Sequence, residues 1–168
     1  MRRVLLTFTL LVASAGLTLA QSPRPPDFSG TWVLNVAKSK PNLKGFSDTI
    51  VITVSGSNVT MRHTTNGKEW AHTYVTDGTK HVLITKGVER KGNVDKAYWK
   101  KSTLIAEMTA RLPDGTEVLR EKAKWTLSAD GRVLTEESEG VSLSPEFRIP
   151  TDESEVLDRR TVSIYDKQ

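Results

Sequence analysis

Turn signatures, and not any helical repeat, set the rhythm of this chain. Ser55-Gly56-Ser57, Asn66-Gly67, Asp77-Gly78, Gly92-Asn93, Pro113-Asp114-Gly115 and Ala129-Asp130-Gly131 each mark a reversal. Glycine and asparagine accept the positive φ that tight turns demand, and Asn-Gly or Asp-Gly suits the type I′ turn of a two-residue hairpin. The segments between these marks are rich in β-branched and aromatic residues. They predict strands at 28–35, 48–55, 57–64, 69–76, 79–86, 94–100, 103–111, 116–128, 132–138 and 159–166. Sustained 3.6-residue periodicity is missing, and "NVAKSKPNLKG" has room for one helical turn, ended by Pro41.

An all-β chain with near-uniform hairpin spacing favours an antiparallel up-and-down β-barrel of about 8–10 strands over a sandwich, which needs longer Greek-key crossings. Closure requires the first and last strands to pair, so 28–35 should ladder with 159–166. The long interruption at 139–158 is acidic, carries two prolines, and reads as a mobile loop or a flap over one mouth. With no cysteine in the sequence, stability must come from the core.

The first twenty residues stand apart. Met1-Arg2-Arg3 is followed by an apolar run that ends in small residues, with Thr18 and Ala20 placed as at a cleavage site before Gln21. That is the pattern of a secretory signal peptide over 1–20. A proline-rich lead-in follows at 21–27 and the barrel occupies 28–168. The expected product is an exported, periplasmic or extracellular monomer with no stable membrane anchor after cleavage. Removing Arg2 and Arg3 lowers Lys+Arg from 24 to 22 against 20 acids, so the charge falls from +4 to +2. A basic face for nucleic acid is not apparent.

"DFSGTWVLN" carries the most specific local pattern. Gly30 leaves room for a neighbour to approach the backbone, and two-residue alternation puts Phe28, Trp32, Leu34 and Val36 on one face. "DFSGTWVLNVAKSK", with "AYWKKSTLIAE", "AKWTLSADGRVLT" and "RTVSIYDK", resembles the small secreted lipocalin-like proteins of bacteria. These belong to the calycin superfamily of lipocalins and fatty-acid-binding proteins. The resemblance implies a barrel with Gly30 and Trp32 at its closed end and an arginine of the last strand across the indole. Alternation with Val162 and Ile164 selects Arg160 for that role. About a dozen residues separate the first two strands, too few for the two-helix lid of fatty-acid-binding proteins.

Two hairpin assignments define a candidate binding wall. An Asn66-Gly67 turn sets Met61 opposite His72 and His63 opposite Trp70; an Asp77-Gly78 turn would set His72 opposite Leu83 and Tyr74 opposite His81. Met61, His63, Trp70, His72, Tyr74, His81 and Leu83 then share one face, taken as inward. Such a wall suits a small hydrophobic or aromatic ligand. The alternative is a filled core whose loops bind a protein partner, as an inhibitor does. The spacing of the histidines, with no carboxylate recognised on that face to orient them, argues against a metal or haem site, and no cofactor is expected. No nucleophile, base and acid constellation is legible, so no reaction and no catalytic residue are assigned, although some calycin barrels are enzymes.

Overall fold

The computed structural model describes residues 25–41, 44–85, 88–142 and 158–168. It comprises β1 (Gly30–Leu34), β2 (Asp48–Ser55), β3 (Asn58–Thr65), β4 (Lys68–Val75), β5 (Asp77–Thr85), β6 (Val88–Lys100), β7 (Thr103–Arg111), β8 (Glu117–Leu127), β9 (Val133–Ser142) and β10 (Asp158–Lys167). These form one antiparallel sheet in the order β4-β3-β2-β1-β10-β9-β8-β7-β6-β5. There is no helix among the described residues. The expected signal peptide lies outside them, as does 143–157 of the expected long loop; the flanks of that loop are strand.

Closure follows the expected pairing of first with last strand. Trp32 stands opposite Lys167, Val33 opposite Asp166 and Leu34 opposite Tyr165. The ladder then continues past a turn at 36–39, where Lys40 and Val162 exchange backbone hydrogen bonds of 2.8 and 2.7 Å. Ser39 locks this turn in place: its hydroxyl donates to Asn35 O at 2.8 Å and accepts from Ile164 N at 3.0 Å.

Trp32 is 0 % exposed and plugs the lower end among Phe28, Leu34, Ile50 and Leu134. Its Nε1 donates to Phe28 O at 2.9 Å, so the buried indole leaves no unpaired donor. Gly30 has φ +140°, and a Cβ there would stand 3.1 Å from Cε of Lys167. Glycine thus lets the Lys167 stem cross the backbone and set its ammonium 5.2 Å from the Trp32 ring centroid.

That geometry corrects the choice of Arg160. Ser163 and Tyr165 are the buried residues of β10, so the even-numbered positions, Arg160 included, face outward. Arg160 stands opposite Glu139 and its guanidinium lies 3.6 Å from Glu137 in solvent. Val162 and Ile164, apolar in the sequence, are only half-buried on that outward face, where their backbones bond the 35–40 segment.

The Asp77-Gly78 hairpin is the second correction. β4 and β5 are the two ends of the sheet and share no ladder; β5 pairs with β6 alone. Thr76 donates through both its amide and its hydroxyl to Ser57 O at 2.8 Å, which ties the end of β4 back to the β2–β3 turn. Asp77 Oδ1 accepts from the amide of Thr79 at 2.8 Å and Gly78 has φ 77°, so the chain turns a corner there instead of folding back. The Asn66-Gly67 turn behaves as expected, with φ of 47° and 76° and Met61 opposite His72 and His63 opposite Trp70.

Replacing Trp32 by Ala should cost about 3–5 kcal/mol, the range for deleting a fully buried large aromatic side chain. Urea unfolding followed by circular dichroism measures it. A loss under about 1 kcal/mol would mean that the indole is not the plug.

Candidate functional site

The upper half of the barrel is hollow because small residues line up across four strands. Ala97, Ala106, Ala123 and Ser138 stand directly opposite one another in turn on β6, β7, β8 and β9. Short side chains in one row cannot reach the facing wall, and a cavity of about 250 Å³ remains. This lies just below the usual range of roughly 300–1,000 Å³ for ligand pockets. A wider depression of about 580 Å³ near Asp130, Arg132 and Gln168 is open to solvent at the plugged end.

β3 and β4 supply the aromatic side of the cavity. The His63 and Trp70 rings stack at 3.8 Å with their planes 6° apart, and His72 meets Tyr74 edge-on at 4.2 Å. Trp70 remains 46 % exposed, and its Nε1 donates to Thr65 Oγ1 at 3.1 Å. Of the residues expected in the wall, His63, Trp70, His72, Tyr74 and Leu83 border the cavity. Met61 sits in the packed core at 1 % exposure. His81 turns to its own strand, where its Nε2 lies 3.0 Å from both Asp77 Oδ1 and Thr79 Oγ1. With no β4–β5 ladder, nothing sets His81 opposite Tyr74.

Each histidine has an aspartate, which corrects the expectation that no carboxylate orients the rings. His63 Nδ1 is 3.0 Å from Asp48 Oδ2, and His72 Nε2 is 2.7 Å from Asp95 Oδ2. Asp48 also accepts from Thr65 Oγ1 at 2.7 Å and from the Tyr165 hydroxyl at 3.2 Å. These buried carboxylates are satisfied, as burial requires. The His72–Asp95 contact runs from β4 to β6 and so bridges the seam that the backbone leaves unpaired. The three imidazoles serve separate aspartates instead of converging on one point.

Two further acids border the cavity. Glu121 accepts from Ser138 Oγ at 2.8 Å. Glu136 stands opposite Trp125 on β8, and no hydrogen bond or ion pair reaches its carboxylate among the described residues. Burial, then repulsion from Glu121 and Asp48, pushes its pKa up to about 8. Burial, then the charge of Glu136, also raises the phenols of Tyr74 and Tyr165. Trp125 is 2 % exposed, and its Nε1 has no acceptor. Sequence reading missed both acids: in "TEESEG" adjacent glutamates face opposite ways, and nothing local says which face is inside. The buried Leu134, two residues earlier, fixes Glu136 as inward.

The same barrel occurs in solved structures. A protein titled "REP1-NXSQ fatty acid transporter" superposes with a TM-score of 0.54 at 11% identity, over 84% of this chain and 96% of that one. Fatty-acid-binding protein 1 of Echinococcus granulosus gives 0.51 at 17% identity, over 83% and 96%. The fluorescent protein UnaG gives 0.51 at 14% identity, over 84% and 97%. No protein-family model matches the chain, and no curated protein sequence does. The fold is therefore an antiparallel β-barrel like that of these fatty-acid-binding proteins, shared at identities that speak for architecture alone.

The Glu136 carboxyl gives a stability test with a defined sign. Folded, it holds its proton to about pH 8, whereas the ordinary value is 4.5. The native state binds the extra proton between these values, so stability falls as pH rises through that window. Glu136→Gln carries no such penalty. The variant should match the parent near pH 4.5 and exceed it by about 2–4 kcal/mol at pH 8. Denaturant unfolding at the two pH values reads the difference, and an equal gap at both would refute the shifted carboxyl.

Proposed function

We propose that the protein is an exported monomeric carrier whose barrel takes up one small apolar or aromatic molecule. The observation that carries this reading is the half-open cavity of about 250 Å³ above a plugged floor, faced by the His63–Trp70 stack, Tyr74 and Trp125. A loop-binding module would need no such space, because its interior could be filled throughout. Apolar walls with a few polar groups are what small-molecule sites present. Among the structural neighbours are a fatty acid transporter and a fatty-acid-binding protein, which supports the same use of the same barrel. Export rests on the charged start, apolar centre and small-residue end of residues 1–20.

Trp70→Ala and Tyr74→Ala should weaken binding of a neutral probe, naphthylethanol, by about tenfold, equivalent to ~1.4 kcal/mol. Thermal stability of Trp70→Ala should hardly change, since half of that side chain is already in solvent. Calorimetric titration and thermal melting decide it; large stability losses without probe binding would favour the filled-core reading. Edman sequencing of protein secreted by its own host should begin at Gln21. An intact Met1 in the membrane fraction would refute soluble export.

A further inference from the structure

The cavity wall has a charge sign. Glu121, Glu136 and Asp95 border it, and Asp48 lies beneath His63; among the described residues it carries no lysine or arginine. Asp48 and Asp95 are matched by imidazoles and Glu121 by a serine hydroxyl, which leaves Glu136 as the acid with no partner among the described residues. Directly across from it, the Trp125 indole is buried with an unused Nε1–H. An open carboxylate beside an indole, with Tyr74 also on the wall, is a receptor for a positive charge attached to a ring. The carboxylate attracts the charge, the ring faces add cation–π attraction, and burial of the carboxylate in the cavity weakens solvent screening. A carboxylate ligand would meet three acids and no lysine or arginine among those walls.

Given the reading of this cavity as a ligand site, we infer that its ligand is a small aromatic cation, a ring bearing a protonated amine, anchored by the Glu136 carboxylate. Binding is then coupled to a proton. The neutral carboxylic acid of Glu136 gives up its proton to solvent as the ammonium docks, so a free acid and a free cation become an ion pair plus one released proton. The groups facing Glu136 are Glu121 on β8, Asp48 on β2 and Asp95 on β6, with His63 on β3, His72 and Tyr74 on β4 and Tyr165 on β10. The acids hold the carboxyl protonated in the empty barrel, and the arriving cation reverses that balance. With half-ionisation at about pH 8, affinity should rise about fivefold from pH 7 to pH 8.

Three probes of one shape separate charge from shape: naphthylethylamine, naphthylethanol and naphthylacetic acid, titrated by calorimetry into the mature protein at pH 8. The amine should bind about tenfold more tightly than the alcohol, and the acid least. At pH 7, titrations in buffers of different ionisation enthalpy should show close to one proton released with the amine and none with the alcohol. Glu136→Gln, which keeps the side-chain shape, should bring the amine and the alcohol within about threefold of each other and abolish the proton release. Equal binding of amine and alcohol, a preference for the acid, or an amine preference that survives in Glu136→Gln overturns the inference while leaving a ligand-binding cavity. Failure of all three probes overturns the cavity reading along with it.

Discussion

Pairing of β1 with β10 is the constraint on which the rest of the molecule depends. Eight of the nine ladders join consecutive strands, but the first and last strands meet only after the rest of the sheet has been laid down. Their ladder puts Trp32 beneath Lys167, carries Tyr165 to Asp48, and through Asp48 fixes His63 on β3. The plugged floor and the polar wall above it are therefore set by one long-range contact. Gly30 is the residue that suits it, because φ +140° strains any other residue and a Cβ there would press on the Lys167 stem at 3.1 Å.

The interior divides into a lower half that is packed and an upper half that is polar and open. The first is built by Phe28, Trp32, Ile50, Leu104 and Leu134, all fully buried. The second contains hydrogen-bonded histidine–aspartate pairs that a minimal core would replace with aliphatic residues, since buried polar pairs seldom outperform well-packed apolar side chains. A carboxyl such as Glu136, held neutral by its surroundings, lowers the stability of the empty barrel above the ordinary carboxylate range. Departures from the best-packed solution collect where a site has work to do.

The strands and their closure were legible in the sequence because turn chemistry is local: Asn66-Gly67 dictates its own backbone, and with it the register of Met61, His63, Trp70 and His72. Asp77-Gly78 carries the same letters and does something else. Its outcome depends on Thr76 being held by Ser57 and on β5 finding β6, both of which lie outside the dipeptide. Arg160 was misplaced for a related reason. Val162 and Ile164 suggest an inner face, yet they are only half-buried, while Ser163 and Tyr165 point in. The aspartate partners of the histidines were invisible for two reasons: Asp48 is an acid at the start of β2, where nothing local marks it as buried beside His63 on the neighbouring strand, and Asp95 on β6 reaches His72 only across the unpaired seam between the sheet ends.

The sheet order has a topological consequence. Read from β5 through β10 and on through β1 to β4, the strands follow one another as an unbroken meander. A circular permutant that began at β5, ran from β10 into β1 through a short linker and stopped after β4 would make every ladder in the sheet a contact between consecutive strands. The slow step of closing a loop of more than a hundred residues would vanish, leaving low contact order and the faster folding that accompanies it. The natural chain places its own break in the sheet at a corner, Thr76-Asp77, and its most demanding search at the ends.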